Sequence, residues 1–419
     1  MPTATQPRRA SAFPARGGGC RLSRMFDSRL QPGSQSSLRE ANRSRIVDAI
    51  KQLGAMTQVE LADATGLSPA TVSIIVNELV ASEIVTTSQV TRSGRRATQV
   101  AISRDLGLVA GIHFSARTLR LVLCDPAGTV VSEQRMPLSK DHRSDIGMDR
   151  AAELVADMVA ASLSPHDELR AAGLGICAPY DPATDMLSVP GLMRGWDEVK
   201  IAESMSRRLG IQVVVDNDVN LAMLAEVRYG VARGANSGVF VTLGHGIGAG
   251  IWANGAILRG HAGLAGEIGH IQVVENGDLC RCGNRGCLEV VVNSTTIAAS
   301  LRHVLGTVTL RDVIALARQG DIGCTRVLAD AAQYIGVALS ALCNSVDPEI
   351  IVVGGELAAA GGILTAPLEA AIERHSLHNP LTPPRVELSG LGDNAAVLGA
   401  AALALDSSLE QAKSVQATA

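Results

Sequence analysis

Residues 263–289 read GLAGEIGHIQVVENGDLCRCGNRGCLE, and this stretch decides the fold. His270 is followed by Cys280, Cys282 and Cys287, so three of the eight cysteines crowd into one octapeptide. In a cytosolic chain such a cluster favours a metal over disulfides. One imidazole and three thiolates fill the four positions of a closed tetrahedral zinc site, which has no opening for water and is therefore structural. A zinc knot here ties two carboxylates, Glu267 and Glu289, into one neighbourhood. Carboxylates accept hydrogen bonds from paired hydroxyls, the chemistry by which sugars are recognised.

Upstream of this stretch, Val239–Leu243, a Gly-rich loop, Ala249–Trp252 and an Asn254-Gly255 turn read as a strand hairpin. The same pattern stands about 130 residues earlier: Leu108–Phe114, Arg120–Cys124, the turn Asp125-Pro126-Ala127-Gly128, then Thr129–Glu133. The repetition predicts a duplicated, two-lobed α/β body. Residues 148–163 form an Ala-rich amphipathic helix in the first half. The apolar run Val213-Val214-Val215 ends in Asp216-Asn217-Asp218, and strand ends are where α/β folds place ligand chemistry. Taken singly, each of these acids reads equally well as a solvated loop charge.

Toward the N-terminus the texture becomes helical. From Asn42, the residues Ile46, Val47, Ile50 and Leu53 share a face that Gly54 closes. Thr57-Gln58-Val59-Glu60 is a capping box, and Ser68 caps a third helix with Pro69 at its first position. In that helix Val72, Ile75, Val76 and Leu79 point inward, leaving Ala70, Thr71, Ser73 and Asn77 on the far face. Two β-prone runs, 84–87 and 98–102, flank the basic tip Arg92-Ser93-Gly94-Arg95-Arg96. Three short helices and a basic hairpin make a winged helix-turn-helix. The alternative is a plain three-helix bundle for protein contacts. Small polar residues suited to base edges, with Arg95 and Arg96 suited to phosphates or a narrow minor groove, favour DNA.

Charge divides in the same way. Residues 1–100 hold 13 Lys and Arg against 7 Asp and Glu, and the rest hold 24 against 34. A basic head on an acidic body is the footprint of a protein that meets a polyanion with one end, unless the head's surplus is an accident of an Arg-rich tail. Hydrophobic content of 47% with 19% charged residues describes a globular chain. No window reaches the ~18 uninterrupted apolar residues of a membrane span. The N-terminus lacks the apolar segment of a signal peptide, so the expected compartment is the cytoplasm. Residues 1–37, mixing Pro, Gly, Ser and Arg without periodicity, are expected to be a disordered basic tail.

Taken together, Gly-Glu-x-Gly-His at 266–270, Cys-x-Cys-Gly-x-x-Gly-Cys-x-Glu at 280–289 and Asn-Asp-Val-Asn at 217–220 resemble the ROK family of repressors, uncharacterised reading frames and sugar kinases. The resemblance runs from about Arg43 to Leu403 and includes Gly195-Trp196 and Gly354-Gly355. It implies an actin-like body with a sugar cleft between its lobes. By the same resemblance Asn217, Asp218, Glu267, His270 and Glu289 contact the sugar, and Asp218 matches the catalytic base of the kinase members. Gly191 falls where many kinases have an Asn that helps to hold the sugar.

The phosphate loops bear on enzyme against sensor. Kinase members carry Asp-x-Gly-x-Thr in the first hairpin, and here the stretch is His113-Phe114-Ser115-Ala116-Arg117. An imidazole replaces the carboxylate that organises the metal, and the glycine that lets backbone approach phosphate has gained a side chain. His245 stands where kinases have Thr in Gly244-His245-Gly246. The expected protein is therefore an α/β, non-enzymatic, sugar-responsive repressor of carbohydrate-utilisation genes, with Asp218 vestigial. Its expected parts are a winged helix-turn-helix over 38–103, a ROK-type sugar-binding domain over 104–408 with structural zinc, and a disordered tail over 409–419. Its expected partners are operator DNA, a sugar or sugar phosphate effector and further copies of itself, without a membrane. The alternative is an ATP-dependent sugar kinase with an accessory DNA-binding head, favoured by Asp218 and Gly354-Gly355.

Overall fold

The structure is a computed structural model that describes residues 35–92, 95–139, 143–162, 168–377 and 381–417. Most of the expected basic tail lies outside these residues. Its last part does not conform: helix α1 spans Gln35–Leu53 and so begins before the expected boundary.

After α1 come β1 (Met56–Thr57), α2 (Gln58–Thr65), α3 (Pro69–Ala81), β2 (Val85–Arg92) and β3 (Arg95–Ile102). The capping box is formed: Thr57 Oγ1 accepts from the Glu60 amide at 3.2 Å, and the Thr57 amide donates to Glu60 Oε2 at 2.7 Å. Gly66 then takes the left-handed conformation that ends α2. Ser68 caps α3 by accepting from the Thr71 amide, with Pro69 inside the first turn. The wing pairs antiparallel from Val85↔Ile102 to Arg92↔Arg95, and β1 joins its other edge, giving the order β1-β3-β2.

The first lobe holds β4 (Leu108–Phe114), β5 (Thr118–Cys124), β6 (Val130–Pro137), α4 (Ser144–Ala160), β7 (Leu169–Ile176), the small hairpin β8 (Tyr180–Asp181) and β9 (Met186–Leu187), α5 (Ile201–Leu209), β10 (Gln212–Asn217) and α6 (Asp218–Tyr229). The second holds β11 (Ser237–Leu243), β12 (Ile247–Ala253), β13 (Ala256–Ile257), α7 (Leu288–Val292), α8 (Ser294–Ser300), α9 (Arg302–Leu305), α10 (Leu310–Arg318), α11 (Ile322–Val346), β14 (Ile350–Gly354), α12 (Gly362–His375), β15 (Arg385–Leu388) and α13 (Ala395–Ala417). The two sheets repeat one topology. In each, three antiparallel strands are followed by two that add in parallel beside the first, giving β6-β5-β4-β7-β10 and β13-β12-β11-β14-β15. The duplication read from the hairpins is therefore present strand for strand.

The helices that follow each sheet are exchanged. Helix α6 leaves the first lobe and packs on β11 and β12, whereas α13 leaves the second and packs on β4, β5 and β7. The two cross at short range: a Cβ on Gly399 would stand 1.8 Å from the Leu221 carbonyl oxygen; α13 sits equally close on β7, where a Cβ on Gly173 would stand 1.9 Å from the Ala400 carbonyl oxygen. Only glycine permits this approach. Helix α11 is long and apolar enough to cross a membrane by length and composition, but it buries Leu328, Ala332, Ile335 and Leu339 in the core of the second lobe.

Helix α13 corrects one expectation. It runs through 409–417, a stretch expected to be a disordered tail. Leu405 and Leu409 are buried with Ile46, Leu61, Val76 and Val100 of the head in one continuous core, which gives the helix an apolar partner as far as Leu409. That partner lies more than 300 residues away in sequence, so no local pattern announces it.

Candidate functional site

Strand β10 delivers Asn217 and Asp218 to the cleft between the lobes. Asn217 caps α6: its Oδ1 accepts from the Val219 amide at 2.9 Å and its Nδ2 donates to the Ala178 carbonyl at 3.1 Å. Two of its bonding positions are thus used by the fold. Asp218 is the first residue of α6, where the helix dipole favours its negative charge. Its Oδ2 lies 3.3 Å from His113 Nε2, which reaches it from the end of β4. Asp216 belongs to the scaffold: buried, it pairs with Arg259 at 2.7 Å and accepts from Asn220 Nδ2 at 2.9 Å.

Glu267 opens a short helical turn at 268–270, and Glu289 lies in the first turn of α7. Burial pushes the Glu267 carboxyl up, and the neighbouring Glu289 carboxylate pushes it further; Arg281 opposes them, and Asp218 adds the least. These acids therefore feel one another across the cleft. Glu289 is held by the Ile247 amide at 3.2 Å and by Arg281 at 3.2 Å. Gly191 has left-handed backbone and open space where a Cβ would stand, so it offers no side chain at the position where kinases have Asn.

Behind the two glutamates, His270, Cys280, Cys282 and Cys287 present ligand atoms that all lie within 4.8 Å of one another. His270 Nδ1 stands 3.5 Å from Cys280 Sγ, and the sulfurs of Cys282 and Cys287 are 3.7 Å apart. This placement assigns Nδ1 to the cluster and leaves only the other ring nitrogen of His270 for a sugar hydroxyl. Bridges Gln272↔Cys287 and Leu279↔Arg285 fold the segment back on itself, bringing ligands ten and seventeen residues beyond His270 to its side.

On the head, Ala70 and Asn77 are exposed on the outer face of α3, and Thr71 and Ser73 are half-buried. The Thr71 hydroxyl is already 2.8 Å from Ser68 Oγ, so its first task is the helix cap. Ile74, 57% exposed between them, is a residue that sequence reading missed, because an isoleucine in an amphipathic helix reads as core. Arg96 is exposed on β3, and Arg95 opens that strand opposite Arg92.

Sequence reading also missed Arg120 and Arg135. With His113, Ser115, Thr118 and Asp218 they line a cavity of 260 Å³ between the lobes. Arg117, which ends the 113–117 stretch, is exposed and lies outside its lining. A larger cavity of 1090 Å³, bordered by His245, Arg302, Arg311 and Arg318, lies on the second lobe.

Residues 109–407 match the ROK family, and residues 40–97 match the MarR family. A glucokinase of Halalkalibacterium halodurans is 32% identical over 69% of this chain and 92% of its own length. The xylose repressor of Bacillus subtilis is 25% identical, over 90% of this chain and 98% of its own. Among solved structures, a ROK family transcriptional regulator homologous to the Escherichia coli MLC protein superposes with a TM-score of 0.74 at 24% identity, over 90% of this chain and 97% of that one. That superposition speaks for the fold alone; the sequence matches carry the assignment. The chain belongs to the ROK family, with a MarR-type winged helix ahead of its sugar-kinase-like body.

Proposed function

We propose that the chain is a sugar-responsive, DNA-binding transcription repressor whose kinase-like body serves as the effector sensor. The observation that carries this reading is the shared core. Ile46, Leu61 and Val76 of the head are buried in one cluster with Val397, Ala404 and Leu409 of α13, so the DNA reader is built onto the body rather than strung beside it. The full-length likeness to a xylose repressor points the same way.

In this reading residues 38–103 bind operator DNA and residues 104–408 bind a sugar. Ala70, Thr71, Ser73 and Asn77 meet base edges, with Ile74 suited to a thymine methyl group, and Arg95 and Arg96 hold phosphates or the minor groove. Asn217, Asp218, Glu267, His270 and Glu289 receive sugar hydroxyls. Two copies present two heads to paired half-sites. Selection from random DNA by the full chain tests the first half of this reading. The expected product is a recurrent motif in two half-sites, and recovery without sequence preference would refute it.

The four-donor cluster fits zinc. Zn–S bonds of about 2.3 Å and a Zn–N bond of about 2.0 Å in a tetrahedron space the sulfurs roughly 3.7 Å apart and the S–N edge roughly 3.5 Å, which matches the Cys282–Cys287 and His270–Cys280 separations. Such an ion is structural. It would fix the segments that carry Glu267 and Glu289.

A sugar kinase is the second reading, favoured by Asp218 and by the 32% identity to a glucokinase. Against it, His113 sits on Asp218 where kinase members place a metal-organising carboxylate. No sugar-dependent ATP turnover is expected in a coupled assay across hexoses, xylose and N-acetylhexosamines. Turnover abolished by Asp218→Asn would establish the kinase instead.

A further inference from the structure

The seam between the head and the body encloses a cavity of 80 Å³. The ends of α1 and β3 form one wall, with Ile50 and Lys51; α6 and α13 form the other, with Arg228, Tyr229, Leu405 and Asp406. Two cations and one carboxylate therefore meet in a place whose remaining lining, the Tyr229 hydroxyl apart, is apolar.

The charges do not balance there. Asp406 Oδ1 accepts from Lys51 Nζ at 2.9 Å, and Arg228 Nη2 donates to both Asp406 oxygens, at 3.1 and 2.8 Å. One negative charge thus serves two cations whose side chains are 8% and 9% exposed. Asp48 also approaches Lys51, at 3.5 Å, but it is 53% exposed, where water screens the attraction. Asp125, on the turn beside Tyr229, is occupied by the Ala127 and Thr129 amides. Arg228 Nε is buried and has no hydrogen-bond partner among the described residues. A guanidinium N–H left unpaired out of water carries a desolvation cost that an acceptor removes. Burial holds the Tyr229 phenol above its ordinary range, so its hydroxyl keeps a proton to donate.

We infer that the seam holds a small monovalent anion, of the class of chloride and bromide, between Arg228, Lys51 and Tyr229. Its single charge matches the surplus of one cation, and its size suits the cavity. A doubly charged anion is far more costly to desolvate against apolar walls and exceeds the charge it would meet. The anion touches α1 of the head and α6 of the body at once, so it stabilises their junction in proportion to its occupancy. Sugar binding in the cleft neither requires nor excludes such an ion.

Melting of the full chain at constant ionic strength tests this, with potassium glutamate, whose anion is too large for the cavity, replaced stepwise by potassium chloride or bromide. Tm is expected to rise by a few degrees and to saturate, with half of the rise at a roughly millimolar halide concentration. Arg228→Lys, which keeps the charge opposite Asp406 but lacks Nε, is expected to lose most of that rise. Wild-type crystals grown with bromide are expected to show its anomalous signal beside Arg228 Nε. Equal melting in glutamate and halide, a rise that does not saturate, or an undiminished rise in Arg228→Lys would each overturn the site. Sulfate acting as strongly as chloride at the same low concentration would overturn its monovalent character. If Arg228→Lys fails to fold, the bromide crystals decide, and a seam without anomalous signal removes the proposal.

Discussion

Cys282 is the exposed member of the four-donor cluster, and its sulfur lies beside that of Cys287. Removing one thiolate opens the tetrahedron, and because metal affinity is folding free energy in such sites, the segment it closes should loosen. Protein purified without chelator is expected to hold one equivalent of zinc by elemental analysis, and Cys282→Ser to hold none and melt several degrees lower. Wild-type protein free of metal would contradict this. The cluster was legible in sequence because its ligands fall within eighteen residues, as were Asp218, Glu267 and Glu289 as candidate acids. Arg120 and Arg135 were not legible, since strand register decides their company. Thr71 looked free for DNA because nothing in the sequence shows its hydroxyl turned back to Ser68.

At the scale of elements, the capping box and the wing hold the DNA-reading surface in place. The Thr57 amide and hydroxyl, donating to Glu60, keep its carboxyl below the usual range. A carboxylate held low contributes stability above its ordinary pKa, and that contribution disappears as pH falls through the lowered value. Glu60→Gln should therefore melt lower than wild type at neutral pH, with the two converging as acid protonates Glu60; a gap that persists in acid would count against the box. Thr57→Ala should cost about 1 kcal/mol by chemical denaturation. At the wing, replacing Arg95 and Arg96 with Ala should weaken binding to all DNA and flatten its salt dependence by about one unit per lost phosphate contact. Unchanged affinity and slope would exclude the wing from the interface. Helices, caps and hairpins were readable because their determinants are local, whereas α13 packs Leu405 and Leu409 against a head distant in sequence.

Over the whole molecule, one helix joins the two functions. Helix α6 begins at Asp218 in the cleft and ends beside the head, where Arg228 bonds Asp406 at 2.8 Å and Asp406 bonds Lys51 of α1 at 2.9 Å. Arg228 and Lys51 are 9% and 8% exposed, so Asp406 neutralises two buried cations. Asp406→Ala should cost on the order of 3 kcal/mol of stability and weaken the response of DNA binding to sugar. A fully responsive variant would place the linkage elsewhere. In the proposed reading a sugar that bridges the lobes would favour one interlobe angle, and the close crossing of α6 and α13 would carry a change of that angle toward the head. An effector can shift DNA affinity only by its differential affinity for the two states, about 1–3 kcal/mol or roughly 5–150-fold. The decisive measurement is a titration of operator DNA, obtained by selection with the protein itself, with and without the sugar or sugar phosphate that binds the full chain. Wild type should lose operator affinity within that range on adding effector, and Asp218→Ala should bind operator normally yet ignore the effector. An Asp218→Ala protein that responds like wild type would contradict the claim that the cleft controls the head.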